Sequence, residues 1–374
     1  MSSLAVKNLF HDKIRLAVTI VGIVFSVVLV AMQAGLFMGF TTTTSNIIDH
    51  SGADIWIMSK GVPFIEAAPP FPEQRLFRVR AMPEVVEAEK YIVQFSMWKL
   101  PSGAHENCEI VGFNPDSALG GPWNVVEGSI DDLRLPYTVM IDRFYAERLG
   151  ATRIGDMVEI AKTRARVVGF TSGIRTFTTT PLVFTSIRNA SAYTGIPDDK
   201  AQFVLVRTKP GTDIRALTTA MSTELSGVDV WSRQEFAART TNYWMFGTGA
   251  GIAVIAGGLL GLLVGVVIVA QTIYAATMDH LREFGTLKAI GASNWFVYRV
   301  IFTQAVISAV LGYVIAVAIA LVLASKGQQG GANIVLSAPM WAGLFVLTVV
   351  MCLTAATVSI RKVMKLDPAM VFKG

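Results

Sequence analysis

Four long stretches of this chain carry no charged residue, and each is long enough to cross a membrane as a helix. The stretches extend over Leu16–Phe40, Thr240–Met278, Val300–Ser325 and Gly327–Ile360. Because a membrane-spanning helix needs about 20 predominantly apolar residues, the pattern predicts four transmembrane helices. Their expected bounds are 16–40, 247–273, 299–324 and 339–360, with a short loop at 325–338.

The segment between the first two helices, residues 41–240, follows a different pattern. Short runs rich in β-branched and aromatic residues, bounded by turn residues, predict strands. The predicted strands are 54–59, 91–100, 108–113, 137–142, 157–161, 165–170, 181–186 and 202–208. Two helical patterns and two loops complete this segment: helices at 142–149 and 213–225 (with Asp213 as the N-cap), and loops at 63–72 and 114–129. The strands do not alternate with helices, so we predict a large α+β domain inserted between helices 1 and 2.

Composition agrees with a membrane protein, since 52% of the residues are hydrophobic, 16% are charged and the mean hydropathy is +0.52. These values lie well outside those of average soluble proteins.

The alternative for the first apolar stretch, Leu16–Phe40, is a cleaved signal peptide. Its apolar core is longer than the usual span of about 7–15 residues and no small-residue cleavage site follows it, which favours a retained helix.

Lysine and arginine residues near the helix ends predict the orientation. Ten of them share one side of the predicted membrane: Lys7, Lys13, Arg15, Arg282, Lys288, Arg299, Arg361, Lys362, Lys365 and Lys373. The loop at 325–338 carries only Lys326. Because such residues concentrate on the cytoplasmic side, both termini and the connector at 278–292 are expected there, and the α+β domain is expected to be extracytoplasmic. The basic excess favours contact with anionic membrane lipid, not with nucleic acid.

The two ends of the chain are both expected on this cytoplasmic side. Residues 1–15 favour a short amphipathic helix in the headgroup plane over a frayed polar start. The apolar positions near one flank of that helix are Leu4, Leu9, Phe10 and Ile14. Residues 361–374 are expected to form a cytoplasmic tail.

Several kinds of catalytic or binding site are missing from the sequence. It contains no GxxxxGK[ST] phosphate-binding loop, no HExxH motif and no Cys-x-x-Cys pair. The four histidines are scattered, and Cys108 and Cys352 fall in different predicted compartments. The apolar stretches hold no charge suited to an ion relay. We therefore expect no catalytic site, no metal and no cofactor on this chain.

Glycines recur along one face of the second predicted helix. Gly257, Gly261 and Gly265 are spaced four residues apart, which predicts a close helix–helix contact, either within the chain or across a dimer. Two further pairs have the same spacing: Gly247 with Gly251, and Gly35 with Gly39. Three polar positions are expected to lie at helix interfaces rather than to contact a substrate: Gln33, Gln271 and Gln304.

The connector between helices 2 and 3 reads MDHLREFGTLKAIGAS over residues 278–293 and combines charge with an apolar flank. Five apolar residues recur every three positions: Met278, Leu281, Phe284, Leu287 and Ile290. Gly291 suits the C′ position that ends a helix, and Ser293 suits the N-cap of the next. The pattern predicts a helix of about three to four turns whose apolar flank needs a partner, which is lipid, another cytoplasmic segment or a separate protein.

The run REFGTLKAIGAS, after an apolar helix with spaced glycines, resembles the coupling region of MacB/FtsX-type ABC transporter permeases. The longer run DHLREFGTLKAIGA looks most like the DevC-type members, and the resemblance covers the whole chain. Elsewhere it rests on EGS at 127–129, VMID at 139–142, RLGATRIGDMVEI at 148–160, ARVVGF at 165–170 and DPAMVF at 367–372. One departure is Gly128-Ser129, where many members have Gly-Arg.

The resemblance implies a fold and a set of partners. The outer segment would be a MacB-like periplasmic core domain, and the protein would lie in a bacterial inner membrane. The connector would be a coupling helix that docks on a separate ABC ATPase through Asp279, Arg282, Glu283, Phe284, Leu287, Lys288 and Gly291. Two ATPase copies would bind ATP and Mg, and a second permease copy would complete a homodimer or a pair of homologues.

The resemblance also implies a mode of action, mechanotransmission, in which ATP-driven closure of the ATPases moves the outer domain. DevC-type members imply export of a lipid-like or amphiphilic substrate with a periplasmic adaptor protein and a TolC-like outer-membrane tunnel. A lipoprotein-releasing permease is one alternative. The other is an FtsX-like transducer that regulates a cell-wall hydrolase, although the outer segment is longer than such proteins typically have.

Overall fold

The computed structural model describes residues 13–279 and 294–364. The chain forms two compact units, Met1–Gly39 with Gly251–Gly374, and Phe40–Ala250. The α-helices are α1 Lys13–Thr44, α2 Asn46–Asp49, α3 Gln74–Arg80, α4 Ala146–Leu149, α5 Ile187–Thr194, α6 Ile214–Glu224, α7 Arg233–Asn242, α8 Ala250–Asp279, α9 Asn294–Gln329 and α10 Ala338–Met364.

Four of these helices, α1, α8, α9 and α10, are long and apolar enough to cross a membrane. The prediction of four membrane-spanning helices is therefore confirmed. The helix bounds differ from the expected ones by a few residues, and two of these differences have a clear structural cause. The helix α9 continues to Gln329, inside the predicted loop, and ends where Gly331 adopts a positive φ of 94°. The second span was expected to begin at 247, but Gly247 closes a short π-helix, and Gly249, at φ 79°, separates it from α8.

The strands all lie in the second unit, within the part of the chain that the structure describes. They are β1 Ile55–Ser59, β2 Phe71–Pro72, β3 Val85–Lys99, β4 His105–Phe113, β5 Val125–Gly128, β6 Thr138–Asp142, β7 Met157–Ile160, β8 Thr163–Thr171, β9 Leu182–Ser186, β10 Lys200–Ala201, β11 Phe203–Thr208 and β12 Val228–Ser232. All eight predicted strands are present, and the α+β class is confirmed. The predicted loop 63–72 contains β2, and the predicted loop 114–129 contains β5.

The main sheet has the order β12-β1-β11-β3-β4-β9-β6-β8-β5, with β7 pairing with both β3 and β8. The long strand β3 joins its two halves. The first half of β3 pairs with β11, with Tyr91 opposite Phe203, and the second half pairs with β4 from Ile92 onward. Only β4 with β9 and β6 with β8 run parallel in the described sheet.

The helices cover the two halves of the sheet separately. A core that includes Leu76, Val79 and Met221 lies between α3, α6 and the β1 half. A second core that includes Leu149 and Tyr193 lies between α4, α5 and the β6 half. The predicted N-cap Asp213 accepts a hydrogen bond from Ala216 N at 3.0 Å, which begins α6 as expected.

Candidate functional site: the helix junction, the connector flanks and the aromatic segment

The charged connector is the segment for which the sequence makes its most specific functional prediction. In the structure α8 ends at Asp279 and α9 begins at Asn294. The other predicted coupling residues lie outside the described residues: Arg282, Glu283, Phe284, Leu287, Lys288 and Gly291. The N-terminal helix predicted at 1–15 and the tail at 361–374 also fall largely outside them. The coupling assignment therefore stays a prediction.

The three spaced glycines of α8 face α1 of the same chain. A Cβ added at each glycine would lie very close to an α1 side chain. The distances are 2.5 Å from Gly257 to Gln33 Nε2, 2.9 Å from Gly261 to Leu29 Cδ2 and 2.5 Å from Gly265 to Ser26 Cβ, each measured from the added Cβ. Ordinary side chains do not approach a Cβ this closely, so a Cβ at any of the three glycines would force a shift. At Gly257 the end of the flexible Gln33 side chain could move away, whereas at Gly265 the added atom would press on the Cβ of Ser26. The structure uses the glycine face for a contact within the chain.

A hydrogen bond reinforces this contact at its centre. Ser26 is 1% exposed, and its hydroxyl donates to the carbonyl oxygen of Gly261 at 2.6 Å. The same hydroxyl lies 3.6 Å from the sulfur of Met351 on α10. Hydrogen bonds between apolar helices add modest stability, and small residues permit the close approach that they need. The result is a junction of α1, α8 and α10.

The remaining apolar helix joins the same junction. A Cβ added at Gly312 of α9 would lie 2.5 Å from Ile23 Cγ2 on α1. The buried residues Ile301, Ala305 and Ala309 of α9 pack with Ile23 in one apolar cluster. Since α8, α9 and α10 each contact α1, this helix is the common partner of the other three.

The polar positions singled out from the sequence do not share one environment. The side chain of Gln33 is half-buried and lies over Gly257, so it is an interface position. Gln304 is half-buried on α9, whereas Gln271 is exposed on α8. The pair Gly247 and Gly251 does not form one face of a continuous α-helix, because the turn at Gly249 lies between them.

The two glycines at the end of α1, Gly35 and Gly39, contact the loop between α9 and α10 rather than another helix. Gly35 O accepts a hydrogen bond from Val335 N at 3.1 Å, and Gly39 O accepts one from Asn333 Nδ2 at 3.4 Å. A Cβ at Gly35 would lie 2.8 Å from Ile334 Cγ2. The segment between α9 and α10 is thereby held against α1.

We refer to the unit Phe40–Ala250 as the outer domain. It contains the π-helix Tyr243–Gly247, which we name the aromatic segment, and aromatic side chains cluster around this helix. Phe64 stacks on Tyr243 with ring centroids 4.2 Å apart, and Phe177 lies 4.6 Å from Trp244. Phe177 also contacts Phe40 of α1, at 4.8 Å. π-helices are uncommon and are often found at functional positions. Aromatic contacts therefore hold the aromatic segment, immediately before α8, to two loops of the domain.

Two interacting carboxyl groups each have a buried oxygen, and we call Glu66 and Glu109 the carboxyl pair; Glu109 is buried and Glu66 is half-buried. Burial raises the pKa of Glu66 to about 7, and the Trp244 side chain opposes that rise. Burial, followed by repulsion from Glu66, raises the pKa of Glu109 well above its usual range. Glu109 is 1% exposed, and one oxygen of each carboxyl has no hydrogen-bond partner among the described residues. Glu109 therefore favours the protonated form near neutral pH, whereas Glu66 changes its protonation state there.

Sequence reasoning missed both the hydroxyl of Ser26 and the carboxyl pair. A signal existed for each, since Ser26 is a hydroxyl residue inside an apolar run and Glu109 is the one charge in the strand run CEIVGF. What the sequence did not contain was the identity of their neighbours, Gly261 and Glu66, which are distant along the chain. Within residues 13–279 and 294–364, no group of three or more His, Cys, Asp or Glu is arranged to hold a metal ion.

The Gly128-Ser129 motif has a local structural role. Gly128 has a φ of 86°, and an added Cβ would collide with the Val168 carbonyl oxygen of the neighbouring strand. Ser129 then accepts a hydrogen bond from Asp131 N at 3.2 Å and caps the short 3₁₀ helix that follows. A side chain of any other type at 128 would be strained, whereas position 129 needs only a capping group.

Comparison with known proteins gives a consistent assignment. The family described as the MacB-like periplasmic core domain matches residues 16–224, and the family described as the FtsX-like permease C-terminal matches residues 243–368. An uncharacterized ABC transporter permease of Mycobacterium tuberculosis is 27% identical over 379 residues, with 99% of each chain covered. Another from Mycobacterium bovis is 24% identical over 378 residues, again with 99% of each covered.

Among solved structures, the periplasmic region of MacB from Actinobacillus actinomycetemcomitans aligns with 52% of this chain and 96% of that chain. The TM-score is 0.39 and the sequence identity is 10%. The two family matches, by contrast, follow each other along the sequence and cover the α+β domain and the three helices after it. The chain belongs to the MacB/FtsX-type superfamily of ABC transporter permeases.

Proposed function

We propose that this chain is the membrane subunit that transmits ATP-driven movement of a separate ATPase to the extracytoplasmic domain. An ABC transporter permease implies an ATPase partner, and the connector at 278–292 is our choice for its docking site. The observation that carries the proposal is the close contact of α1 with α8. These two helices lead into and out of the outer domain, and with glycines at their interface they move as one body.

We further propose that the complex contains two permease copies and two ATPase copies in a bacterial inner membrane, with both termini cytoplasmic. The membrane subunit itself would perform no catalysis, and ATP with Mg would bind on the ATPases. The substrate class that we favour is a lipid-like or amphiphilic molecule exported with a periplasmic adaptor and an outer-membrane tunnel. The similarity of the connector to DevC-type members supports this choice.

The docking proposal is tested with the full-length chain and its cognate ABC ATPase. The double variant Glu283→Lys with Leu287→Asp reverses one charge and removes one apolar contact on the connector. We expect recovery of the ATPase with the purified permease to fall at least tenfold. The control Lys326→Glu changes charge in the last turn of α9, on the predicted opposite side, and should leave recovery unchanged. Equal recovery with the double variant and the wild type would disprove the docking site.

The substrate proposal is tested separately, through the partners of the outer domain. If the neighbouring gene encodes an adaptor protein, that adaptor should raise the ATPase rate of the reconstituted complex. A lipoprotein substrate that raises the rate without an adaptor would instead support the lipoprotein-releasing function. A cell-wall hydrolase that becomes active only with the ATP-bound complex would support the FtsX-like function. The docking proposal holds in all three cases.

A further inference from the structure

The carboxyl pair has no role in the proposed function, yet it lies against the segment through which the chain leaves the outer domain. We propose that Glu66 is a proton-sensitive contact that keeps the aromatic segment packed on the outer domain when protonated and releases it when ionised. Glu109 would remain protonated and supply the apolar, uncharged environment that makes this response possible.

The geometry links Glu66 to the aromatic segment in two ways. Glu66 lies in the 3₁₀ helix Ile65–Ala67, directly after Phe64, whose ring stacks on Tyr243 and lies 5.1 Å from the ring of Trp244. The indole N–H of Trp244 is buried without a hydrogen-bond partner in the described chain, and it is close enough to Glu66 to affect its pKa. Departure of Trp244 would therefore expose the Glu66 carboxyl to water.

Each element packed around the pair contributes an identifiable group. The strand β4 supplies Glu109 and the buried thiol of Cys108. The strand β3 supplies the phenol of Tyr91, whose pKa is raised by burial and, second, by Glu109. The strand β9 places the apolar Leu182 beside Glu109. Among the described residues, no Lys or Arg contributes to the pKa of either carboxyl. Ionisation of the pair is thus opposed by burial and by mutual repulsion, without a cation to offset them.

Thermodynamic linkage between proton binding at Glu66 and opening of the aromatic segment determines the direction in which pH acts. In the packed state Glu66 has a pKa of about 7, above its ordinary value of 4.5. Between these values the packed state binds a proton that the open, solvated state has lost, so raising the pH favours opening. The opening equilibrium constant should rise by up to about tenfold per pH unit in this window. Above about pH 7 both states are ionised at Glu66 and the response should level off.

The test uses the full-length protein in lipid nanodiscs and follows amide hydrogen exchange of residues 243–248, corrected for the intrinsic pH dependence of exchange. In the wild type the opening constant should rise between pH 5 and pH 7 and then level off. In Glu66→Gln it should stay at the low-pH value throughout. The control Glu224→Gln alters an exposed carboxyl at the end of α6 and should behave as the wild type.

A second measurement separates the two carboxyls and does not depend on Glu66→Gln folding well. The infrared carbonyl band of a protonated carboxyl should be present in the wild type at pH 8 and absent in Glu109→Gln, while the exchange profile of Glu109→Gln stays pH-dependent. Three outcomes would overturn the proposal: a wild-type opening constant independent of pH, the same pH dependence in Glu66→Gln as in the wild type, or no band lost in Glu109→Gln.

Discussion

The contact of α1 with α8 makes a quantitative prediction for Gly265→Ala. An added Cβ at position 265 would lie 2.5 Å from Ser26 Cβ and 2.7 Å from Met351 Sδ. Ordinary van der Waals contact begins at 3.4 Å, so α1 must retreat by about 0.9 Å to reach it from 2.5 Å. A retreat of that size also loosens the contacts at Gly261 and Gly257, since all three glycines face the same helix.

Gly265→Ala should lower stability through overpacking, because the added methyl group would meet side chains of both α1 and α10. Inserting a methyl group into a well-packed core costs about 1–3 kcal/mol. Alanine is a better helix former than glycine by about 1 kcal/mol in water. That gain does not offset the cost here, because apolar helices remain helical in a membrane after they separate. We therefore expect Gly265→Ala to lower the free energy of unfolding by about 1–3 kcal/mol.

A neighbouring glycine of the same helix provides the control. The nearest atom to a Cβ at Gly258 is Gln33 Cβ, at 3.8 Å, which is ordinary contact. Reversible unfolding in mixed detergent micelles with increasing dodecyl sulfate should show a loss for Gly265→Ala and none for Gly258→Ala. Ser26→Gly added to Gly265→Ala should restore part of the loss, because it removes the atoms that collide. Equal stability of the two alanine variants would refute the close contact.

Three further changes test the outer domain within the full-length protein. Gly128→Ala should cost about 2 kcal/mol or more, because it combines a positive φ with a collision at the Val168 carbonyl; the midpoint of thermal unfolding measures this. Gln202→Leu should cost about 1–3 kcal/mol in denaturant titrations, because the buried N–H of Val93 loses its acceptor at 2.8 Å. Hydrogen bonds from Ser232 lower the pKa of Glu235 below 4.5, so its stabilisation of α7 should be lost as the pH falls through that lowered pKa. Amide exchange in α7 should show this loss, and Glu235→Gln should abolish the pH dependence.

The membrane helices were predictable because their signal is both long and local. A run such as Leu16–Phe40 has one stable arrangement in a bilayer, so composition alone predicts it. The ends of the helices were harder to predict. The helix α9 passes Lys326 and ends only at Gln329, because backbone hydrogen bonding continues until a glycine adopts a positive φ. Apolar content does not measure that.

In the outer domain, the local sequence pattern predicts some strands and misses others. Seven of the eight predicted strands are long or largely buried, as the all-buried pattern of β6 illustrates. The exception is β7, which has four residues and only one buried position. The strands β2, β5, β10 and β12 were missed, and of these β5 and β12 belong to the main sheet. Both lie at ends of the sheet and have alternating or partial burial over only four or five residues, so their runs resemble loops. Pairing with β8 and β1, which are distant in sequence, stabilises them, and a local pattern does not contain that pairing.

The glycine face illustrates what a periodic pattern contains and what it leaves open. A spacing of four residues places Gly257, Gly261 and Gly265 on one face of a helix, and a close contact follows from their size. Nothing in the spacing distinguishes α1 of the same chain from a helix of a second copy. The distinction depends on shape matching at Ser26, whose hydroxyl both fits beside Gly265 and reaches the Gly261 carbonyl.

The packing of α1 gives a physical reason why a push on the connector would not be absorbed within the helical unit. A displacement of α8 would press its glycine face against Ser26, and the same stretch of α1 contacts Gly312 of α9 and Met351 of α10. Close-packed contacts have little free volume, so they transmit displacement rather than deform. The helix α1 continues without a break to Thr44, which supports our proposal that a movement imposed on α8 reaches the Thr44 end of α1. A substitution that opens space at Ser26 should therefore weaken the proposed coupling between the ATPase and the outer domain.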